Sequence, residues 1–208
     1  MQYILMGNSV VRMSNPLGFT RTECYPGADW DQLLSIISKD YLTTYARSII
    51  FLSTGPVELT VKNKSTREVH VKQEYTYHAI EERIKALKRF GIYVILCTAM
   101  PMDFEAYMYN WHTNVQNPEY SECYDEMTQH LVESVVKLNH EILLLNQRND
   151  FPTPYVHSHV LKRMAGKWKF RSWYLQDGLH PAPETIEIQD RELTNKLIDA
   201  IRTLVNQL

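Results

Sequence analysis

Apolar residues along this chain follow two rhythms, short unbroken runs and series spaced by three and four, and the two alternate. Tyr3-Ile4-Leu5-Met6, Ser48-Ile49-Ile50-Phe51-Leu52-Ser53 and Ile92-Tyr93-Val94-Ile95-Leu96-Cys97 are unbroken runs of strand length, the pattern of parallel strands covered on both faces. Trp30, Leu33, Leu34, Ile36 and Ile37 predict a helix N-capped by Asp29. Tyr77, Ile80, Ile84, Leu87 and Phe90, with acids and lysines between them, predict an amphipathic helix from about Tyr75 to Phe90, ended by Gly91. From Pro118 to about Asn146, Tyr120, Cys123, Met127, Leu131, Val135, Leu138, Ile142 and Leu145 keep helical spacing. Leu193, Leu197, Ile201, Leu204 and Leu208 predict a last helix over Thr185 to Leu208. Shorter strands are read at Glu23-Cys24-Tyr25 and Tyr155-Val156. Helix, glycine, strand is the crossover rhythm of an α/β fold, so the expected architecture is a three-layer α/β/α sandwich on a mostly parallel sheet of about five strands.

Two stretches stand outside that rhythm. Val57, Leu59 and Val61, then Val69 and Val71, alternate around Asn63-Lys64-Ser65-Thr66 and predict a small hairpin with one apolar face, read as a surface ornament, a flap or a partner surface. Ala99-Met100-Pro101-Met102 leaves the sheet and leads into an aromatic-rich loop with Phe104, Tyr107, Tyr109 and Trp111. Ligands of parallel sheets bind beyond the carboxyl ends of the strands, so this loop reads as a pocket wall or a hydrophobic cover.

With 208 residues, 44% of them hydrophobic and 22% charged, the chain has the composition of one ordinary globular α/β domain. Its net charge of −2 predicts no general attraction to polyanions, so contact with nucleic acid or an anionic surface requires a local patch. One stretch qualifies: Lys162, Arg163, Lys167, Lys169 and Arg171 interleave with Trp168, Phe170, Trp173 and Tyr174, and no acid intervenes before Asp177. Such a stretch clamps phosphates and stacks bases, sits on an anionic membrane, or is a solvated strand or loop with its aromatics packed inward. Cys24, Cys97 and Cys123 are odd in number and far apart, which argues against a disulfide framework. No leader precedes Ser9 and no apolar run is long enough to span a bilayer, so an intracellular, cytoplasmic setting is expected. His157-Ser158-His159 would place two imidazoles on one face if extended, but spacing offers no third ligand; ordinary loop histidines are the simpler reading, and no metal or cofactor is expected.

Chemistry concentrates at the two ends of the chain. Asp177-Gly178-Leu179-His180-Pro181 puts a carboxylate and an imidazole three residues apart on a loop, while the first apolar run stops at Gly7-Asn8-Ser9 and delivers a serine at a strand end. Serine, histidine and aspartate are the parts of nucleophilic acyl transfer: a hydroxyl too weak alone, a base to take its proton, and a carboxylate to orient the base. Val10-Val11-Arg12-Met13 then opens a short helix or turn whose amides lie beside the serine. Gly27, between the second strand and the Asp29-capped helix, is either a plain turn glycine or one that presents its N–H to a pocket.

Gly7-Asn8-Ser9-Val10, Gly27, the strand ending at Gly55 and Asp177-x-x-His180-Pro181, in that order, resemble the blocks of the SGNH/GDSL hydrolases over nearly the whole chain. The resemblance implies a flavodoxin-like esterase domain. Ser9 would be its nucleophile, His180 and Asp177 would complete the triad, and the amides of Ser9 and Gly27 would form the oxyanion hole; the substrate would be a small ester with a short acyl group. Two positions depart from the pattern: Asn8 replaces the aspartate of Gly-Asp-Ser, and Gly55-Pro56-Val57-Glu58 carries Val57 where the family has an oxyanion asparagine. Loss of one oxyanion donor typically costs about 10²–10³ in turnover, so the pattern implies a slow enzyme or a module kept for binding. Gly7-Asn8-Ser9-Val10-Val11-Arg12 and Pro26-Gly27-Ala28-Asp29-Trp30 also resemble, more distantly, the esterase domains of LINE-type retrotransposon proteins, which implies RNA as a partner for the basic stretch.

Overall fold

In the computed structural model, residues 1–62, 69–71, 77–111 and 124–206 are described. Strands β1 (Gln2–Gly7), β2 (Arg21–Cys24), β3 (Ser48–Ser53) and β6 (Ile92–Leu96) form one sheet in the order β2-β1-β3-β6, every pair parallel. Because Gly7 faces both Cys24 and Ser53 in register, the carboxyl ends of these strands meet at one edge. Ser9, Gly27 and Gly55 all follow strands that end there.

Alternation along the strands sends side chains to two separate cores. Ile4, Met6, Ile50, Leu52, Val94 and Leu96 pack against α1 (Trp30–Lys39), α2 (Tyr77–Lys88) and α4 (Tyr124–Arg148). Leu5, Ile49, Phe51 and Ile95 face α5 (Pro183–Val205) on the opposite side. Helices on both faces of a parallel sheet make the three-layer α/β/α sandwich expected from the unbroken apolar runs. Asp29 caps α1 as its spacing predicts: its carboxylate accepts the Gln32 amide at 2.9 Å, and the Gln32 side chain accepts the Asp29 amide at 3.1 Å. Among the described residues no helix is long and apolar enough to cross a membrane.

The sheet has four strands among the described residues, not about five. Tyr155-Val156, expected as the last strand, lies in a turn-rich segment after Pro152 and Pro154, which have no N–H to give a ladder. Pro154 O joins it to the chain just beyond β6, accepting from the Thr98 amide and hydroxyl, each at 3.0 Å. Side-chain amides of α4 replace the missing strand. Asn146 accepts from Leu96 N at 3.2 Å and donates to Leu96 O at 2.8 Å, while Asn139 does the same for Ala99 at 2.7 and 2.9 Å. An edge strand must satisfy its backbone, and two carboxamides on a buried helix face do so here as a neighbouring strand would.

Other departures are local. Phe104, Tyr107, Tyr109 and Trp111 belong to a helix, α3 (Phe104–Trp111), not to a loop. Its first turn is closed by Asp103, whose side chain accepts from Ala106 N at 3.0 Å. Val57 sits in a 3₁₀ turn (Pro56–Glu58), so the small hairpin begins later, at β4 (Thr60–Lys62), and pairs with β5 (Val69–Val71). The expected hairpin turn 63–66, Tyr75, Pro118, Tyr120, Cys123 and Leu208 lie outside the described residues. The basic stretch folds as an antiparallel hairpin, β7 (Leu161–Met164) with β8 (Lys167–Phe170).

Candidate active site

Close packing at Gly7 fixes where the serine emerges. A Cβ on Gly7 would lie 1.9 Å from the carbonyl oxygen of Ser53 and 2.8 Å from Val11 Cγ1, so β1 and β3 approach too closely there for any side chain. Asn8 follows in extended geometry and its Oδ1 accepts from Val10 N at 3.1 Å, capping a single 3₁₀ turn over Ser9–Val11. Val10 and Val11 are buried in the α5-side core, which pins the turn, while Ser9 between them and Asn8 stays half-buried. The Ser9 and Gly27 amides donate to no protein acceptor among the described residues. Gly27 has φ +75°, a conformation glycine adopts without strain, and a Cβ there would meet nothing within 4 Å. Its amide therefore stands at an open turn beside an exposed groove of about 530 Å³ that runs along α1 past Pro26, Asp31, Gln32 and Ser35.

At the other end of the chain, Asp177 organises its own loop. Its Oδ1 accepts the backbone amides of Leu179 and His180 at 3.0 and 2.7 Å, and its Oδ2 lies 2.6 Å from His180 Nδ1. Burial raises the affinity of this carboxylate for a proton, but the hydrogen bonds from the His180 amide, its imidazole and the Leu179 amide outweigh burial and hold it below the usual carboxylate range. An ionised Asp177 requires a proton on Nδ1, which leaves Nε2 of a neutral His180 as an acceptor. The loop is closed on itself by Gln176 N to His180 O at 2.9 Å and by a Leu175–Pro181 bridge, and tied to α3 by Asp103 N to Gly178 O at 2.8 Å. Gly178 has φ +82°, and a Cβ there would meet Tyr107 N at 2.5 Å and Asp103 O at 2.7 Å.

Gly55 is where the two ends of the chain meet. A Cβ built on it would lie 3.0 Å from Val10 Cγ1, 4.0 Å from Asn8 Nδ2 and 3.9 Å from Leu179 Cδ1. The residues flanking Ser9 and the residue preceding His180 thus border the same space beside Gly55. Among the described residues no hydrogen bond joins Ser9 to His180. Glu58, three residues beyond Gly55, is buried and accepts from Trp30 N at 2.7 Å, so this carboxylate holds the first turn of α1. That tie spans 28 residues and has no local signature.

The two histidines of the His157-Ser158-His159 segment do not act together. The backbone turns at this point, with Val160 N and Leu161 N both donating to His157 O. His157 is buried, its Nδ1 3.4 Å from the donor amide of Asn139, and burial pushes its pKa down to about 4. His159 lies instead beside Tyr174, its carbonyl accepting from Arg171. Among the described residues no group of three or more metal-ligating side chains occurs. A His with a depressed folded pKa stabilises the fold above its unfolded value near 6.5, and this is lost as pH falls toward 4 because only the unfolded chain takes up the proton. Urea midpoints should show about 2 kcal/mol lost between pH 7 and pH 5 from this group, and His157→Gln should flatten that slope.

No family model and no curated protein matches the sequence. Solved structures do match over nearly its full length. A GDSL-like lipase from Bacteroides thetaiotaomicron is 16% identical with a TM-score of 0.59, covering 98% of this chain and 88% of that one. A Bacteroides fragilis protein assigned as an acylhydrolase is 18% identical at a TM-score of 0.58, covering 98% and 87%. A catalytic mutant of an acetylxylan esterase from Geobacillus stearothermophilus is 11% identical at 0.53, covering 96% and 93%. The chain has the SGNH/GDSL hydrolase fold.

Within the SGNH/GDSL fold, Ser9, Gly27 and Gly55 occupy the carboxyl edge of the sheet, and the Asp177–His180 pair reaches it through Leu179. Val57, which follows Gly55 in the turn after β3, has an aliphatic side chain with no hydrogen to donate. The basic hairpin has Lys162, Arg163, Lys167, Lys169 and Trp168 exposed, and Lys162 directly opposite Lys169. Arg171 is turned inward: it donates to His159 O at 2.8 Å and lies 4.6 Å from the centre of the Tyr174 ring.

Proposed function

We propose that this chain is a serine hydrolase of carboxylic esters with Ser9 as nucleophile, His180 as base and Asp177 as its orienting partner. The observation that carries the reading is the 2.6 Å Asp177–His180 contact on a loop whose Leu179 borders the same space beside Gly55 as both neighbours of Ser9. In this mechanism His180 Nε2 takes the Ser9 proton as Oγ attacks the ester carbonyl, and the imidazolium is stabilised by Asp177. The tetrahedral oxyanion rests on the Ser9 and Gly27 amides. His180 then returns the proton to the departing alcohol, and water, deprotonated by the same histidine, releases the acid from the acyl-enzyme. Short acyl esters are the first substrates to test, because an acetylxylan esterase shares the fold. A fluorophosphonate probe tests the nucleophile: the reading requires one adduct, on the peptide carrying Ser9, together with hydrolysis of an aryl acetate. An unlabelled chain without hydrolysis would refute it.

A second reading rests on the hairpin. Two lysines directly opposite each other repel, which costs an isolated hairpin stability, and none of Lys162, Arg163, Lys167 and Lys169 pairs with an acid among the described residues. A phosphate-rich polyanion would relieve that repulsion. Binding to heparin or to an oligonucleotide should weaken steeply with salt and drop at least tenfold in Lys162→Glu/Lys169→Glu, and salt-independent retention would remove this reading.

A further inference from the structure

Glu58 is a buried carboxylate that no step of the proposed mechanism uses. It is 1% exposed, and its Oε1 accepts from Trp30 N at 2.7 Å. That amide opens α1, where the first N–H groups have no acceptor within the helix. Asp29 and Gln32 already close a capping box on the same turn. Glu58 adds what the cap does not, a tie from the start of α1 to the 3₁₀ turn after β3. Its own turn is firm, with Leu59 N donating to Pro56 O at 2.9 Å and the Leu59 side chain buried.

Gly27 stands three residues before Trp30. Ala28 N donates to Tyr25 O at 3.0 Å, and Gly27, third in the turn that this bond closes, has φ +75°. Pro26 cannot take a positive φ, so the turn is type II. The type I alternative differs by a flip of the central peptide, which would carry the Gly27 N–H to the opposite face, and Pro26 in second position fits either form. Both ends of the turn are held. Tyr25 N donates to Gly7 O at 2.8 Å, at the end of the strand that delivers Ser9, and Trp30 N is held by Glu58.

We infer that Glu58 is a positioning residue for the oxyanion hole: by fixing the start of α1 it keeps the Pro26–Gly27 peptide in the type II form and the Gly27 N–H on its present face. The inference rests on the serine hydrolase reading and extends it. In that reading two backbone amides form the hole, so misdirecting one removes half of its donors.

Glu58→Gln keeps an acceptor oxygen at the same reach, whereas Glu58→Met fills the same space without one. The readout is kcat for an aryl acetate per site that a fluorophosphonate labels at completion, so that loss of folded protein lowers the number of sites and not the rate of each. Glu58→Met should lose about 10–100-fold in kcat per site with KM within twofold of the parent, and Glu58→Gln should stay within threefold in both. Glu58→Asp, one methylene short of Trp30 N, should fall between them and carries the test where Glu58→Met does not fold. Folded Glu58→Met or Glu58→Asp protein with the parental rate per site overturns the positioning role and leaves Ser9 untouched. Equal losses in Glu58→Gln and Glu58→Met overturn it as well, since the charge and not the hydrogen bond would then matter. A parent that neither hydrolyses nor labels overturns the hydrolase reading and this inference together.

Discussion

Replacing Ser9 by alanine is expected to lower kcat for an aryl acetate by about 10⁶ and to abolish fluorophosphonate labelling, with the melting temperature almost unchanged. The size follows from the mechanism: without the hydroxyl there is no acyl-enzyme, and the surviving contribution is what the oxyanion donors give to direct attack by water. The structural cost is small because the hydroxyl of Ser9 makes no hydrogen bond to the protein among the described residues. Val10, Val11 and the Asn8 cap hold the turn without it. A parent rate that persists in Ser9→Ala would assign hydrolysis to another group.

Asp177→Asn should cost about 10⁴ in kcat while the protein still folds and Ser9 is still present. The substituted side chain can keep its oxygen on the Leu179 and His180 amides, so the loop retains its shape. The amide nitrogen then faces His180 Nδ1 and donates to it, which moves the imidazole proton to Nε2. In that tautomer the ring has no lone pair for the Ser9 proton. Phosphonylation should slow together with hydrolysis, because both need the same deprotonation. An Asp177→Asn variant with parental rates would show that the 2.6 Å contact is structural only.

How much of this could be read from residues alone depends on how local the cause is. Ile49 to Leu52 declare a strand buried on both faces, because no polar side chain interrupts them, and Asp29 with Gln32 three residues later declares a helix start. Asp177 and His180 could be paired from their spacing, since a three-residue loop closes on itself. The helix at Phe104 was legible in principle from Asp103, a capping residue ahead of aromatics at helical spacing, but Pro101 and the chain leaving the sheet suggested a loop. Glu58 holding the α1 terminus, and Asn139 and Asn146 standing in for a strand along β6, were not legible. Those bonds link positions 28, 40 and 50 residues apart, and a buried carboxylate or amide announces nothing in the sequence about which distant backbone it will serve.

The contact at Gly178 joins His180, the proposed base, to a helix. Hung on the first turn of α3 by the Asp103–Gly178 bond, and too close to Tyr107 for any Cβ, the loop that carries His180 cannot shift independently of that helix. Substitutions on the outer face of this helix, where Tyr109 is 69% exposed, therefore bear on the position of the His180 loop from outside it.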